Sequence, residues 1–380
     1  MKIVYCLNSI RYLGGIQRVT ITKANALAEI QGNEVYVIVT DNKEGIQVQQ
    51  LSDKVHLIDL DINYYEGDTS RSKLSNLFIG LMKRKIHKKK LYDFLSNLQP
   101  DIVISIGTSE KYMLLSMKRS WKLIREFHFD KYYRKRLAVT LFDKAVAWVS
   151  DFYDFNFKEK KYDLIVVLTQ EDKEDNWKGW TNVAVMPNPV SFQSKSVSSL
   201  KQKEIISLGR LEHQKNYSSL IKAFVLVNKR FPDWQLSIYG DGSERDALQR
   251  LIDVNGLTSR VFLKGTTDDV CGALHDSSIF ALSSITEGLP LVLVEAMECG
   301  VPVVSYKCPC GPKDIISDGK DGFLVPLENE QMMANRICQL IEDEELRQRM
   351  GAAAKEKAQR YHVDEIAKRW MILFNDLVQP

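Results

Sequence analysis

Short apolar runs alternate with amphipathic stretches along the first half of the chain. Residues 2–7 read as a buried strand, residues 16–30 as a helix that Gly32 can close, and residues 34–40 as the next strand. Further strands are predicted at 55–60, 101–106, 122–127, 163–168 and 183–186. Met186-Pro187-Asn188-Pro189-Val190 breaks the pattern, and the Ser/Lys-rich stretch 191–203 is the linker candidate. The alternation then restarts, with strands at 204–208, 235–239, 261–264, 278–282, 301–305 and 322–325. From Glu328 onward the pattern is helical and ends in a helix over 363–377. Strands separated by helices imply parallel pairing with helices on both faces. The fold class is therefore α/β, with two doubly wound domains facing across a cleft, residues 1–189 and 190–361. Ligands of such sheets sit beyond the carboxyl ends of the strands, near helix N-termini.

Composition narrows the function classes. The chain has 380 residues, 44% hydrophobic and 27% charged, which is ordinary for a globular protein and leaves no case for disorder or collagen. Its longest apolar runs, such as 164–168, fall far short of the ~18–20 residues of a membrane span. A strand-like start at Lys2 leaves no room for a signal peptide, so the expectation is a cytoplasmic protein. Cys6, Cys271, Cys299 and Cys338 are far apart in sequence, and Cys308-x-Cys310 lacks a second pair or a nearby His pair. Reduced thiols and no metal site are expected.

The net charge of +3 conceals an uneven distribution. Residues 1–189 hold 29 Lys+Arg against 23 Asp+Glu; the remainder holds 23 against 26. Lys83-Arg84-Lys85-Ile86-His87-Lys88-Lys89-Lys90 carries six positive charges and no acid, and Lys131-Tyr132-Tyr133-Arg134-Lys135-Arg136 interleaves bases with aromatics. Such a surface can lie on anionic lipid headgroups. The plainer alternative is a solvated helix face. Nucleic acid is not expected as a partner, because no recognition motif accompanies either run.

Candidate chemistry concentrates after strand ends. Gly14-Gly15 opens a helix after the first strand, where backbone amides can approach an anion; a plain tight turn reads equally well. Arg210 and Lys215 lie beyond the strand at 204–208, where a guanidinium and an ammonium could hold a diphosphate. Thr286-Glu287-Gly288-Leu289-Pro290 precedes an apolar helix, with Pro290 suited to its first position. Glu295, inside that helix, is not expected to be buried without a partner, be it a hydroxyl-rich ligand or another residue. Together these residues suggest a phosphorylated, polyhydroxylated ligand.

The ordered set Ser207-Leu208-Gly209-Arg210-Leu211-x-x-Gln214-Lys215-Asn216, Tyr239-Gly240-Asp241-Gly242 and Glu287-x7-Glu295 resembles the signature run of family-4 retaining glycosyltransferases of the GT-B fold. It extends over nearly the whole second domain, and Gly14 to Val19 resembles that family's first loop. The last helix, about 362–380, is similar to the one that crosses back onto the first domain.

The resemblance implies that Arg210 and Lys215 hold the donor diphosphate, that Glu295 bonds the ribose, and that Glu287 contacts the transferred sugar with help from the Gly288 and Leu289 amides. It further implies a base near Lys264-Gly265, with Gly240 in the adjoining loop, and Gly15 approaching the phosphate. His128 resembles a histidine placed near the reacting sugar, a structural histidine being the other reading; His213 reads as a spacer. No cofactor or bound metal is implied, in keeping with the lack of Asp-x-Asp between Glu204 and Glu295. Cys308-Pro309-Cys310-Gly311-Pro312-Lys313-Asp314 is similar to a run in bacterial members that extend lipid-linked glycans, with Asp314 in place of the usual Glu; a turn stiffened by two prolines is the structural alternative.

The expected function is metal-independent transfer of a hexose or N-acetylhexosamine from a nucleotide sugar, most simply a UDP-sugar, to a saccharide acceptor. That acceptor is expected to be lipid-linked, with the enzyme peripheral at the inner face of the cell membrane. Two other readings stay open: a sugar-nucleotide 2-epimerase and a catalytically silent glycan-binding subunit. Acceptor loops are expected at about 42–90, in a stretch that resembles nothing known.

Overall fold

Thirteen β-strands carry the fold of the computed structural model, whose described residues are 1–10, 14–41, 51–64, 73–107 and 109–379. The first seven are β1 (Lys2–Cys6), β2 (Glu34–Val39), β3 (Val55–Asp59), β4 (Ile102–Ser105), β5 (Lys122–Glu126), β6 (Leu164–Val167) and β7 (Val183–Val185). They form one parallel sheet in the order β3-β2-β1-β4-β5-β6-β7. The other six are β8 (Glu204–Leu208), β9 (Gln235–Tyr239), β10 (Val261–Gly265), β11 (Ile279–Leu282), β12 (Val303–Tyr306) and β13 (Gly322–Val325), in the order β10-β9-β8-β11-β12-β13. Each expected strand is present, within a residue or two at either end. The largest difference is at β12, which starts at Val303 rather than 301: Pro302 has no N–H to give the ladder, though its carbonyl accepts from Phe280.

Both sheets are doubly wound, as the resemblance implies. Strand order reverses beside β1 in the first and beside β8 in the second, and crevices open at such switch points. The glycine loop after β1 and the Arg210–Lys215 loop after β8 therefore both emerge where a ligand can enter.

Helices of the first half are α1 (Gly15–Ala28), α2 (Lys73–Leu98), α3 (Lys111–Leu115), α4 (Tyr133–Leu137), α5 (Leu141–Tyr153) and α6 (Gln170–Asn176). The second half contributes α7 (Tyr217–Arg230), α8 (Arg245–Val254), α9 (Val270–His275), α10 (Leu291–Glu298), α11 (Pro312–Ile315), α12 (Glu330–Glu342), α13 (Glu344–Ala358) and α14 (Val363–Val378). Sequence patterning is kept on the buried faces. Ile21, Ala24 and Leu27 of α1 close over β1 and β2, whose Ile3, Tyr5, Val35 and Val37 are fully buried.

Helix α14 packs on α1, putting Ile366, Trp370 and Phe374 into the first sheet's core although the chain reaches them from the second. The Ser/Lys-rich stretch 191–203 lacks regular structure but is pinned. Ser198 N–H donates to Cys299 O at 2.8 Å, its hydroxyl to Ser277 O at 2.6 Å, and Leu200 is buried. Of the expected acceptor region 42–90, residues 42–50 and 65–72 lie outside the described residues.

Candidate active site

A cleft of about 690 Å³ opens between the two sheets. Gly14, Gly15, Arg18 and His128 line it from the first half, and Arg210, Lys215, Gly240, Glu287, Gly288, Leu289 and Glu295 from the second. Nine of the ten site residues read from the sequence thus share one cavity. Gly265 is not in the lining but adjoins it: its carbonyl accepts the Gly240 N–H at 2.8 Å, and Thr266 and Thr267 next to it face the cleft. An α/β strand ends before it turns into the crevice, so the lining falls one residue later than expected.

On the second sheet's side, Lys215 Nζ donates to Glu287 Oε1 at 2.7 Å, and both side chains are largely buried. Gln214 supports both: its side-chain amide donates to Thr286 O at 2.8 Å, and its backbone carbonyl accepts from Ile285 N–H at 2.9 Å. Arg210 is exposed beside this pair, free to meet a solvated anion. Gly240 sits at φ +143°, and a Cβ there would stand 1.9 Å from Gly209 O, so the loops after β8 and β9 touch backbone to backbone. A side chain would prise them apart.

Helix α10 starts at Leu291, with Pro290 as its N-cap rather than its first residue. Its unpaired amides and positive dipole end point at the cavity beside Gly288 and Leu289. Glu295, one turn in, is 6% exposed and accepts the Ser191 hydroxyl, an intramolecular partner at the edge of the cavity. Burial pushes its carboxyl above the ordinary range; Ser191 and Arg18 draw it back in part.

On the facing side, a Cβ on Gly288 would meet His128 O at 2.3 Å, so the two halves touch at this point. Beneath His128 lies a buried charge cluster that sequence reasoning missed. Lys23 of α1 is bonded to Glu126, and Glu126 Oε1 is 3.4 Å from His128 Nε2. Burial would push Glu126 up, but Lys23, His128 and Arg125 hold it below the usual range. Burial lowers His128 to about 4, leaving the ring neutral at pH 7. Asn188 Nδ2 lies 3.5 Å from His128 Nδ1, so the Pro-Asn-Pro break also feeds the site. Spacing carries no signal for this cluster, because Lys23 and Glu126 are 103 residues apart.

Two other expectations resolve differently. His213 is exposed and away from the cavity, consistent with a spacer. The Cys308–Asp314 run does not line the cleft. Its Asp314 carboxylate accepts the first two amides of α6, Gln170 N at 2.7 Å and Glu171 N at 3.2 Å, while Lys313 pairs with Glu171. It is a latch between the two halves, capping the other half's helix.

The family model described as glycosyl transferases group 1 matches residues 191–357. A glycosyltransferase of Haemophilus influenzae, itself uncharacterized, is 29% identical over 97% of this chain and 98% of its own length. An alpha-1,4-N-acetyl-D-galactosaminyltransferase of Campylobacter jejuni, named for a diNAcBac-PP-undecaprenol-linked acceptor, is 26% identical over 99% of each chain. Among solved structures, Staphylococcus aureus TarM in complex with fondaparinux, alpha-GlcNAc-glycerol and UDP superposes with a TM-score of 0.76 over 98% of this chain and 99% of its own. At 17% identity that last likeness speaks for the fold.

Proposed function

Because residues 191–357 match the group 1 glycosyl transferases and the chain carries the GT-B fold, we propose that it moves a hexose or N-acetylhexosamine from UDP to a lipid-linked saccharide. The anomeric configuration is retained, and the product belongs to a bacterial surface polysaccharide. The observation that carries this reading is the convergence of Arg210, Lys215, Glu287, Glu295 and the start of α10 on one cavity faced by His128. UDP in the TarM complex and the polyprenyl-linked acceptor named for the Campylobacter relative support the finer assignment.

In this reading the diphosphate lies between Arg210 and Lys215, with the amide end of α10 against it. These positive groups stabilise the departing nucleotide without a bound metal or other cofactor. Glu295 takes the ribose hydroxyls, Glu287 the hydroxyls of the transferred sugar, and Gly15 closes on the phosphate. The base lies against Thr266 and Thr267 near Gly240. As the sugar–phosphate bond breaks, the acceptor hydroxyl attacks from the same face and its proton passes to the leaving phosphate oxygen. Neutral His128 serves as a hydrogen-bonding partner for the reacting sugar.

The acceptor's lipid is assigned to the inner membrane face through α2 and α5. Helix α2 exposes Phe78, Leu81 and Met82 beside Arg84, Lys85 and Lys88, and α5 exposes Phe142, Trp148 and Phe152. Lys158 stands 5.7 Å from the Tyr112 ring and 5.2 Å from the Tyr153 ring, joining the two patches. Aromatic side chains with a basic rim suit an anionic interface.

A thermal-shift and turnover screen of UDP-, GDP-, ADP- and dTDP-sugars in EDTA tests the proposal. UDP-sugars should stabilise the protein by about 2.7 kcal/mol at a hundredfold excess over Kd, and Lys215→Ala should remove the effect. Preference for another nucleotide would sink the donor assignment. Conversion of UDP-N-acetylglucosamine without an acceptor would favour the epimerase, and binding without transfer to any lipid-linked saccharide the silent subunit.

A further inference from the structure

Three ligating side chains outside the cleft lining converge between α9 and the end of α10. Cys271 and His275 are four apart on α9 and so share one face, and Cys299 follows the last residue of α10. Their ligand atoms all lie within 4.8 Å of one another, and the two sulfurs are 3.9 Å apart. The expectation of isolated cysteines fails here, because packing α9 beside α10 closes a 28-residue gap. A disulfide requires about 2.05 Å between sulfurs. Two thiolates on a tetrahedral zinc ion, each at about 2.3 Å, stand roughly 3.8 Å apart.

The surroundings are held in place. Ser194 Oγ lies 3.0 Å from His275 Nε2 and 3.6 Å from Cys271 Sγ, at the mouth of the cluster. Ser194 is itself fixed: its N–H donates to Glu298 Oε1 at 2.9 Å and its carbonyl accepts from Lys355 at 2.8 Å. Glu298 also takes Lys355 at 2.6 Å and His362 at 2.9 Å, so this buried carboxylate is committed to bracing the segment. Three ligands, from α9 and the end of α10, and a braced hydroxyl beside two of them are thus held together by the fold.

We propose that Cys271, His275 and Cys299 bind one zinc-class divalent cation, with the Ser194 hydroxyl or a water as fourth ligand. Binding releases two thiol protons, and two thiolates with a dication make a neutral unit suited to a half-buried site. The ion clips the 191–198 segment to α9 and α10. Glu295 lies four residues before Cys299 on that helix and holds Ser191 of the same segment, so the clip braces the donor wall without touching the donor.

The test uses the full chain loaded with zinc and dialysed. About one zinc per chain is expected. Cobalt substitution should give a thiolate-to-metal charge-transfer band that Cys271→Ser, Cys299→Ser and His275→Gln each weaken or abolish. His213→Ala, on an exposed loop, should leave the band intact. A chelator should lower Tm in the parent and not in Cys271→Ser. Substoichiometric zinc, a cobalt spectrum indifferent to these substitutions, or a thiol titre two short of six in the metal-free chain would overturn the proposal. None of these readouts depends on donor turnover.

Discussion

Lys215 and Glu287 show how one ion pair can serve both fold and ligand. Each neutralises the other inside the cleft, and each is placed so that a ligand can compete for it. Glu287→Ala should lower kcat by about a hundredfold, the scale of losing one preorganised polar contact. Its stability cost should be about 3 kcal/mol or less, since the pair is largely buried but Lys215 lines the open cleft. Equal activity in steady-state assays would remove Glu287 from the site.

The histidines give a prediction of defined sign. His128 faces Glu126, Lys23, Arg125 and Asn188, and His87 faces Tyr64 and Asp41; burial lowers both to about 4. Their folded values lie below the unfolded value of about 6.5, so the unfolded chain binds more protons in between. Their contribution is complete above about pH 6.5 and is lost as pH falls towards 4. For His128 this amounts to on the order of 3 kcal/mol at most. Denaturant titrations across that window should show the decline, and His128→Gln should remove its share and leave that of His87; an unchanged slope would contradict the buried neutral ring.

At the level of elements, function depends on how closely loops and helix ends approach. Gly240→Ala should destabilise by ~3 kcal/mol or more, because both its φ and its contact with Gly209 O exclude a side chain. Chemical denaturation would measure it, and a change under ~1 kcal/mol would mean the β8 and β9 loops separate easily. Helix α5 poses the opposite case. It is apolar and exposed on nearly every face, with just Ala147 and Asp151 buried. Phe142→Ser with Trp148→Ser should reduce binding to anionic vesicles severalfold while leaving Tm unchanged. Undiminished sedimentation with vesicles would remove α5 from the membrane face.

At the scale of the whole molecule, α14 ties the end of the chain to its beginning. Trp370 is 1% exposed in the first sheet's core, and Lys23 lies 5.2 Å from its ring, so this helix also supports the cluster beneath His128. Trp370→Ala should cost about 3–5 kcal/mol by calorimetry, and a much smaller loss would mean that the crossing is dispensable. The order of strands and helices could be read from the sequence because run length and periodicity are local properties. That Arg210, Lys215 and Glu287 would meet at a crevice could be read as well, since each follows a strand's carboxyl end, where a doubly wound sheet opens its crevice. What the sequence left open are pairings across long separations: Lys23 with Glu126, Asp314 with the start of α6, Cys271 with Cys299. Each depends on which strands lie side by side and how two sheets face each other, and no local pattern encodes that. Which residues after Gly265 reach the cleft lining, Thr266 and Thr267, is open for the same reason: the last turn of the chain into the cleft is set by packing.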